Sequence, residues 1–271
     1  MPDSTAHSTR PGNSPDSASE PSLTPTPIPA TVPEVPSSGG LLRAILRRLR
    51  RREKNEAVRE AIKGRAKPYI VSKVYPHNAS RAGTVAACER SLKRLGLERI
   101  DLYLLHWRGG ARLEETFEAF HRLREAGKIA DFGVSNFDRG DMEDAARLDK
   151  GLTGSNQVLY CLSRRGPEFD LLPLMRKRSI PLMAYSPLDQ GGLLRKSALK
   201  KLADEVGCTP AQLALAWVLA QPGVVTIPKS SSRERVKENF GALEVKLSPK
   251  ILADLDRAFP PPKGKQALEM L

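Results

Sequence analysis

Two short apolar runs, 69–75 and 100–107, each carry one ionisable side chain near their end. Lys73 closes the first, Tyr69-Ile-Val-Ser-Lys-Val-Tyr75, and His106 closes the second, Ile100-Asp-Leu-Tyr-Leu-Leu-His-Trp107. An ammonium and an imidazole at one pocket can hold or move a proton on a reacting group. Where strands run parallel around a barrel, residues at their carboxyl ends meet at one mouth, and the chemistry sits there. Lys73 and His106 therefore point to an α/β-barrel enzyme in which both face a common pocket. Each also has a plainer reading, since a strand-end Lys is often just solvated and a lone His is often a satisfied buried group.

The elements that would position them alternate regularly. Apolar, β-branched runs recur near residues 70, 102, 132, 157, 183 and 225. Helical patterns lie between or after them at 84–95, 113–126, 138–148, 169–177, 197–206, 210–219 and 233–240, the last of these closing the repeat. Strands alternating with helices at this spacing call for a parallel sheet. No GxGxxG and no P-loop occurs, which argues against a doubly wound dinucleotide fold or an NTPase.

Composition divides the chain of 271 residues into three parts. Residues 1–40 hold nine Pro and thirteen Ser/Thr, with a net charge of −3, and read as a disordered tail that cannot bury enough surface to fold. Residues 41–67 carry eleven Lys/Arg against three Glu, with Leu42, Ile45, Leu46 and Leu49 at helical spacing, so they read as a basic amphipathic helix. Such a helix meets either a polyanion or a neighbouring apolar surface. No aromatic residue or recognised DNA-binding motif accompanies its arginines, so docking on the adjacent domain is the favoured reading and nucleic acid the lesser one. Residues 68–271 then form the barrel-like domain.

Cys88, Cys161 and Cys208 are far apart, without metal-ligand or disulfide spacing, which fits a reducing compartment. No apolar run approaches the roughly 18 residues of a membrane span. The amino terminus lacks the layout of a signal peptide, and the cytoplasm is the expected location.

Six strings carry a resemblance. Ile70-Val-Ser-Lys-Val, Asp101-Leu-Tyr-Leu-Leu-His-Trp107, Gly127-Lys-Ile with Phe132-Gly-Val-Ser-Asn-Phe137, Asn156-Gln157, Ala184-Tyr-Ser-Pro-Leu188 and Ile227-Pro-Lys-Ser230 follow one another in order. Together they resemble the aldo-keto reductases, (β/α)₈ TIM barrels that reduce carbonyls with NADPH. The likeness runs from about Lys54 to the carboxyl terminus. The closing Phe259-Pro-Pro-Pro through Leu268-Glu-Met-Leu271 resembles a bacterial subgroup acting on small aldehydes. The resemblance implies NADP(H) as cofactor and a small carbonyl substrate, methylglyoxal-like. It implies that Lys73 lowers the pKa of a tyrosine acid and that His106 orients the carbonyl. It places Ser135, Asn136 and Gln157 at the nicotinamide carboxamide, and Tyr185 on the ring face. Ser186, Leu188 and Gln190 fall where the family wraps the pyrophosphate. Lys229, Ser230 and Arg235 fall at the 2′-phosphate, Glu238 and Asn239 at the adenine.

One part of the pattern is missing. The family's first two strands carry an Asp and, about five residues later, the tyrosine acid. Counted back in register, these positions fall near Ala44 and Leu49, yet no Tyr precedes Tyr69 and no Asp lies between Asp16 and Asp101. The expectation is a barrel truncated to about six strands, open at both edges, with an incomplete catalytic set. Tyr75 shares the strand parity of Lys73, but a Tyr in that loop is ordinary for the subgroup and gives no sign of compensation. Three readings stay open: an oxidoreductase with impaired catalysis, a non-catalytic nucleotide-binding module, or a gene remnant in which residues 1–52 do not belong to the ancestral protein.

Overall fold

The computed structural model describes residues 59–60, 68–149 and 151–271. The expected tail, the basic stripe with Leu42, Ile45 and Leu49, and the positions near Ala44 and Leu49 lie outside the described residues. Six strands run in chain order: β1 (Val71–Val74), β2 (Ile100–Leu105), β3 (Ile129–Ser135), β4 (Asn156–Leu159), β5 (Leu182–Tyr185) and β6 (Val224–Thr226). Every neighbouring pair is parallel, and the spatial order is the sequence order. Four helices accompany the first half: α1 (Arg81–Leu95), α2 (Leu113–Glu125), α3 (Arg139–Asp149) and α4 (Leu171–Lys177). Four follow β5: α5 (Ser197–Val206), α6 (Pro210–Leu219), α7 (Arg233–Phe240) and α8 (Pro249–Ala258). This is the α/β parallel architecture expected, with β1 and β6 as the two edges of the sheet among the described residues.

Strand alternation sorts the side chains onto two faces. The register sets Val71 beside Leu102 and Lys73 beside Leu104. On that face Val71, Leu102, Leu104 and Met183 form a small apolar cluster. On the other, Tyr103 and Phe132 join Phe117 and Phe120 of α2 in the main core, with the three Phe rings 5.4 to 6.1 Å apart. Gly133 is required by close approach. A Cβ there would stand 2.4 Å from the Ser155 carbonyl oxygen, which belongs to backbone and cannot swing away. Gly133→Ala is expected to push β3 from the turn before β4 and cost about 1–3 kcal/mol, read as a lower urea midpoint at unchanged m-value.

Local chemistry explains where the observed elements differ from the sequence pattern. Helix α1 starts three residues early because Ser80 Oγ accepts from the Gly83 N–H at 3.2 Å and caps its first turn. Strand β3 extends beyond its apolar centre because its neighbours' ladders reach it, with the Ile100 N–H donating to the Lys128 carbonyl at 3.0 Å. Helix α8 lies beyond the strand-helix repeat of the sequence pattern. Ser248 caps it by accepting from Ile251 N–H at 3.2 Å, Pro249 occupies its first turn, and Ile251 and Leu255 are buried. At the β6 edge, α7 buries none of its residues, and Val225, Val236 and Phe240 are exposed. No described helix is long and apolar enough to cross a membrane.

Candidate active site

The carboxyl ends of β1 to β5 bring the candidate residues of the central strands to one side of the sheet. Lys73 lies on the face of Val71, Leu102 and Leu104 and is partly buried. Burial lowers its ammonium pKa below the ordinary 10.5, because the charged form loses hydration there. His106 follows β2, and its N–H donates to the Val74 carbonyl at 2.9 Å, which holds it against the end of β1. Its ring stands 4.9 Å from the Tyr75 ring and 4.6 Å from Trp107. Tyr75 also meets Trp107 edge-on at 5.5 Å. Trp107 received no role from the sequence, although its place beside His106 in the second run put it on the same strand end.

A hydrogen-bonded chain links the next three strands. The Tyr185 hydroxyl donates to Asn136 Oδ1 at 3.0 Å, and Asn136 Nδ2 donates to the His106 carbonyl at 3.1 Å. The same Nδ2 reaches Ser135 Oγ at 3.3 Å, and that hydroxyl donates to the Gln157 carbonyl at 2.8 Å. Asn136 adopts φ 59°, a left-handed conformation that Asn tolerates better than most residues, and this turns its amide back toward His106. Gln157 Nε2 donates to the Met183 thioether at 2.7 Å, a weak acceptor.

After β5 the backbone again turns left-handed at Ser186, Asp189 and Gln190, with φ of 49°, 49° and 52°. Leu188 packs on the main core while Gln190 is exposed. Asp189, unremarked in the sequence, accepts from Ser163 Oγ at 3.2 Å and from Arg164 Nε at 3.4 Å. The remaining candidates form a separate group after β6. Ser230 Oγ accepts from the Ser232 N–H at 3.1 Å, and Ser232 Oγ caps α7 by accepting from the Arg235 N–H at 3.3 Å. Lys229 and Arg235 are exposed, and Asn239 is half-buried. The Glu238 carbonyl accepts from Gln212 Nε2 at 3.1 Å, which ties α7 to α6. Among the described residues no three His, Cys, Asp or Glu side chains are placed to hold a metal.

Such a strand-end set has known counterparts. The model of the aldo/keto reductase family matches residues 50–259. The chain is 47% identical over 213 residues to methylglyoxal reductase YeaE of Escherichia coli, covering 76% of this chain and 75% of that protein. It is 36% identical over 192 residues to the glyoxal reductase of Bacillus subtilis, covering 71% and 68%. An aldo-keto reductase from Klebsiella pneumoniae, solved in complex with NADPH, superposes with a TM-score of 0.79 at 47% identity, covering 81% of this chain and 80% of that one. By its sequence and by the fold of its described residues, this chain belongs to the aldo/keto reductase family.

Proposed function

We propose that the chain binds NADP(H) and reduces small aldehydes of the methylglyoxal type, slowly, in the cytoplasm. The donor set fits the cofactor. Ser135, Asn136 and Gln157 present hydroxyl and amide groups of both polarities for a carboxamide, and the Gln157 amide donates to a thioether that a carbonyl oxygen would outcompete. Tyr185 is fixed through its hydroxyl, leaving the ring as a stacking face. Left-handed backbone at Ser186, Asp189 and Gln190 suits a loop that wraps a pyrophosphate around Leu188. Lys229, Ser230 and Arg235 offer charge-assisted donors to a 2′-phosphate, and Glu238 and Asn239 stand one turn on for the adenine. Three free cysteines and the absence of a spanning helix among the described residues accord with the cytoplasm.

When bound, the cofactor supplies hydride to the carbonyl carbon. The chain must orient the carbonyl and give its oxygen a proton. His106 orients it, and the Lys73 ammonium, made more acidic by burial, supplies the proton.

The observation that carries the slow rate is in the sequence: no Tyr precedes Tyr69, so the position where the resemblance puts the tyrosine acid holds none. Tyr69, Tyr103, Tyr160 and Tyr185 all have their hydroxyl pKa pushed up, chiefly by burial, which makes each a poorer acid. The fifth, Tyr75, stacks against His77 and meets His106 at a tilt. Purified protein with NADPH and methylglyoxal should turn over about 10²–10⁴-fold more slowly than a relative with a tyrosine acid. NADPH binding with no turnover would leave a non-catalytic nucleotide-binding module instead, and a rate equal to that relative's would overturn the impairment. Arg235→Ala should weaken NADPH about 10-fold or more, the loss of one charge-assisted contact, with NADH little changed.

A further inference from the structure

Between β2 and α2 the chain runs through Trp107, Arg108, Gly109 and Gly110, and Gly109 and Arg108 pin this loop where it leaves the site. Gly109 lies on the short turn after β1. A Cβ there would stand 2.4 Å from Pro76 Cβ, so only glycine fits without a shift. Arg108 reaches α3 instead. Its Nη1 donates to Asp141 Oδ1 at 2.6 Å and to Asp144 Oδ2 at 2.7 Å, neighbours on one face of that helix. Asp141 also belongs to the start of α3, where its N–H donates to Asp138 Oδ1 at 2.9 Å, two residues beyond Asn136.

The loop carries the indole of Trp107. That ring lies 4.6 Å from the His106 imidazole and meets the Tyr75 ring edge-on at 5.5 Å, while Tyr75 lies 4.9 Å from the imidazole. The three rings therefore pack pairwise as one group. The Val74 and Asn136 hydrogen bonds hold the backbone of His106. Its ring is confined by its neighbours, and the indole is only as well placed as the loop that bears it.

We propose that Arg108 is a positioning residue: its paired links to Asp141 and Asp144 hold the Trp107 indole against the His106 imidazole and keep that ring aimed at the substrate carbonyl. This rests on the role given to His106 above. With the links gone, the loop keeps its seat on Pro76 but the indole swings free, and the imidazole samples rotamers that miss the carbonyl oxygen. Misalignment weakens the transition state more than substrate binding, so kcat falls more than KM rises. Side-chain exposures are 43% for Arg108, 25% for Asp141 and 33% for Asp144, so each pair is modest and yields to salt. None of these groups is assigned to the cofactor, so NADPH affinity stays.

Two readouts test the clamp without turnover. Trp107 and Trp217 are the chain's two tryptophans, and Trp217 is 1% exposed, so acrylamide quenching of the full chain reads Trp107. Arg108→Ala should raise the quenching constant about two-fold, the scale of freeing a half-buried ring from two modest ion pairs, with the melting temperature nearly unchanged. In the NMR spectrum the His106 Cε1–H line, displaced by the adjacent rings, should move toward its random-coil position. Arg108→Lys should restore part of both, and Asp144→Asn should give part of the loss. High salt should bring the parent toward Arg108→Ala and leave the variant unchanged. In NADPH-dependent methylglyoxal reduction Arg108→Ala should lower kcat about 3- to 10-fold, with KM and NADPH affinity changed by no more than about two-fold. Parental quenching and a parental His106 line in Arg108→Ala would overturn the clamp. A loosened ring with an unchanged kcat would overturn its catalytic part. A parent chain that reduces no methylglyoxal would overturn the role given to His106, while the two spectroscopic readouts still decide whether Arg108 holds the rings.

Discussion

Replacing Lys73 with Met should remove the remaining carbonyl reduction, by a further factor of about 10²–10⁴, while NADPH affinity changes by no more than a few-fold. The two effects separate because Lys73 stands on β1, whereas the groups assigned to the cofactor lie at the ends of β3, β4 and β5 and beyond β6. Met resembles Lys in length and apolar stem and keeps an apolar chain on the sheet face of Leu102 and Leu104. The loss would therefore report the ammonium. Its pH dependence has a definite sign. Burial depresses the Lys73 pKa below 10.5, so the ammonium is present at low pH and is lost as pH rises through that lowered value. Turnover by the parent should fall on the alkaline side earlier than an ordinary lysine would dictate, and Lys73→Met should show no such limb. Steady-state rates against pH, with NADPH titrations at each end, check both parts. A Lys73→Met protein that retains the parental rate and alkaline limb would sink the assignment.

How much of this could be read from the sequence depends on whether a residue's signal is local. Strand β2 and helices α5, α6 and α7 are legible to the residue in the sequence, because their signals, apolar spacing in β2, α5 and α6 and the flanking Ser232 and Gly241 in α7, lie in or beside the element. Thr209 shows why: it accepts from Gln212 N–H at 3.2 Å while Gln212 Oε1 accepts from Thr209 N–H at 3.0 Å, a capping box written in adjacent residues. Helix α8 carries a comparable local signal in Ser248 and Pro249, but it lies beyond the last strand-helix pair, where the repeat itself calls for no further element. The strand-end positions of Lys73, His106, Asn136 and Tyr185 followed from strand parity and family strings. The chain of contacts from Tyr185 through Asn136 to the His106 carbonyl did not, since it spans 49 residues in one step and 30 in the next. The clamp at Arg108 is invisible for the same reason, because its two partners lie 33 and 36 residues away. The positions near Ala44 and Leu49, where the family pattern puts its Asp and Tyr, lie outside the described residues, so the expected gap there is a statement about the sequence.

Trp217→Ala should be the most destabilising single truncation in the second half of the chain, at about 3–5 kcal/mol. Trp217 sits on α6 with 1% of its surface exposed, and the Tyr160 ring lies 5.6 Å away. The Arg165 guanidinium carbon stands 4.9 Å from the indole centroid. Removing the indole leaves a void and also strips the aromatic face from that cation, a contact worth about 0.5–2 kcal/mol. Arg165 is itself a hub: its guanidinium holds both Glu168 oxygens at 2.8 Å, Asp256 at 2.7 Å and the Phe259 carbonyl at 2.6 Å. Glu168 in turn accepts from the Tyr160 hydroxyl at 2.8 Å. Water entering beside Trp217 would thus loosen the turn after β4, the end of α8 and the start of the carboxyl-terminal stretch together. Thermal unfolding should move down by roughly 6–20 °C at 2–4 °C per kcal/mol. Trp217→Phe, which keeps an aromatic face under Arg165, should cost about 1–2 kcal/mol.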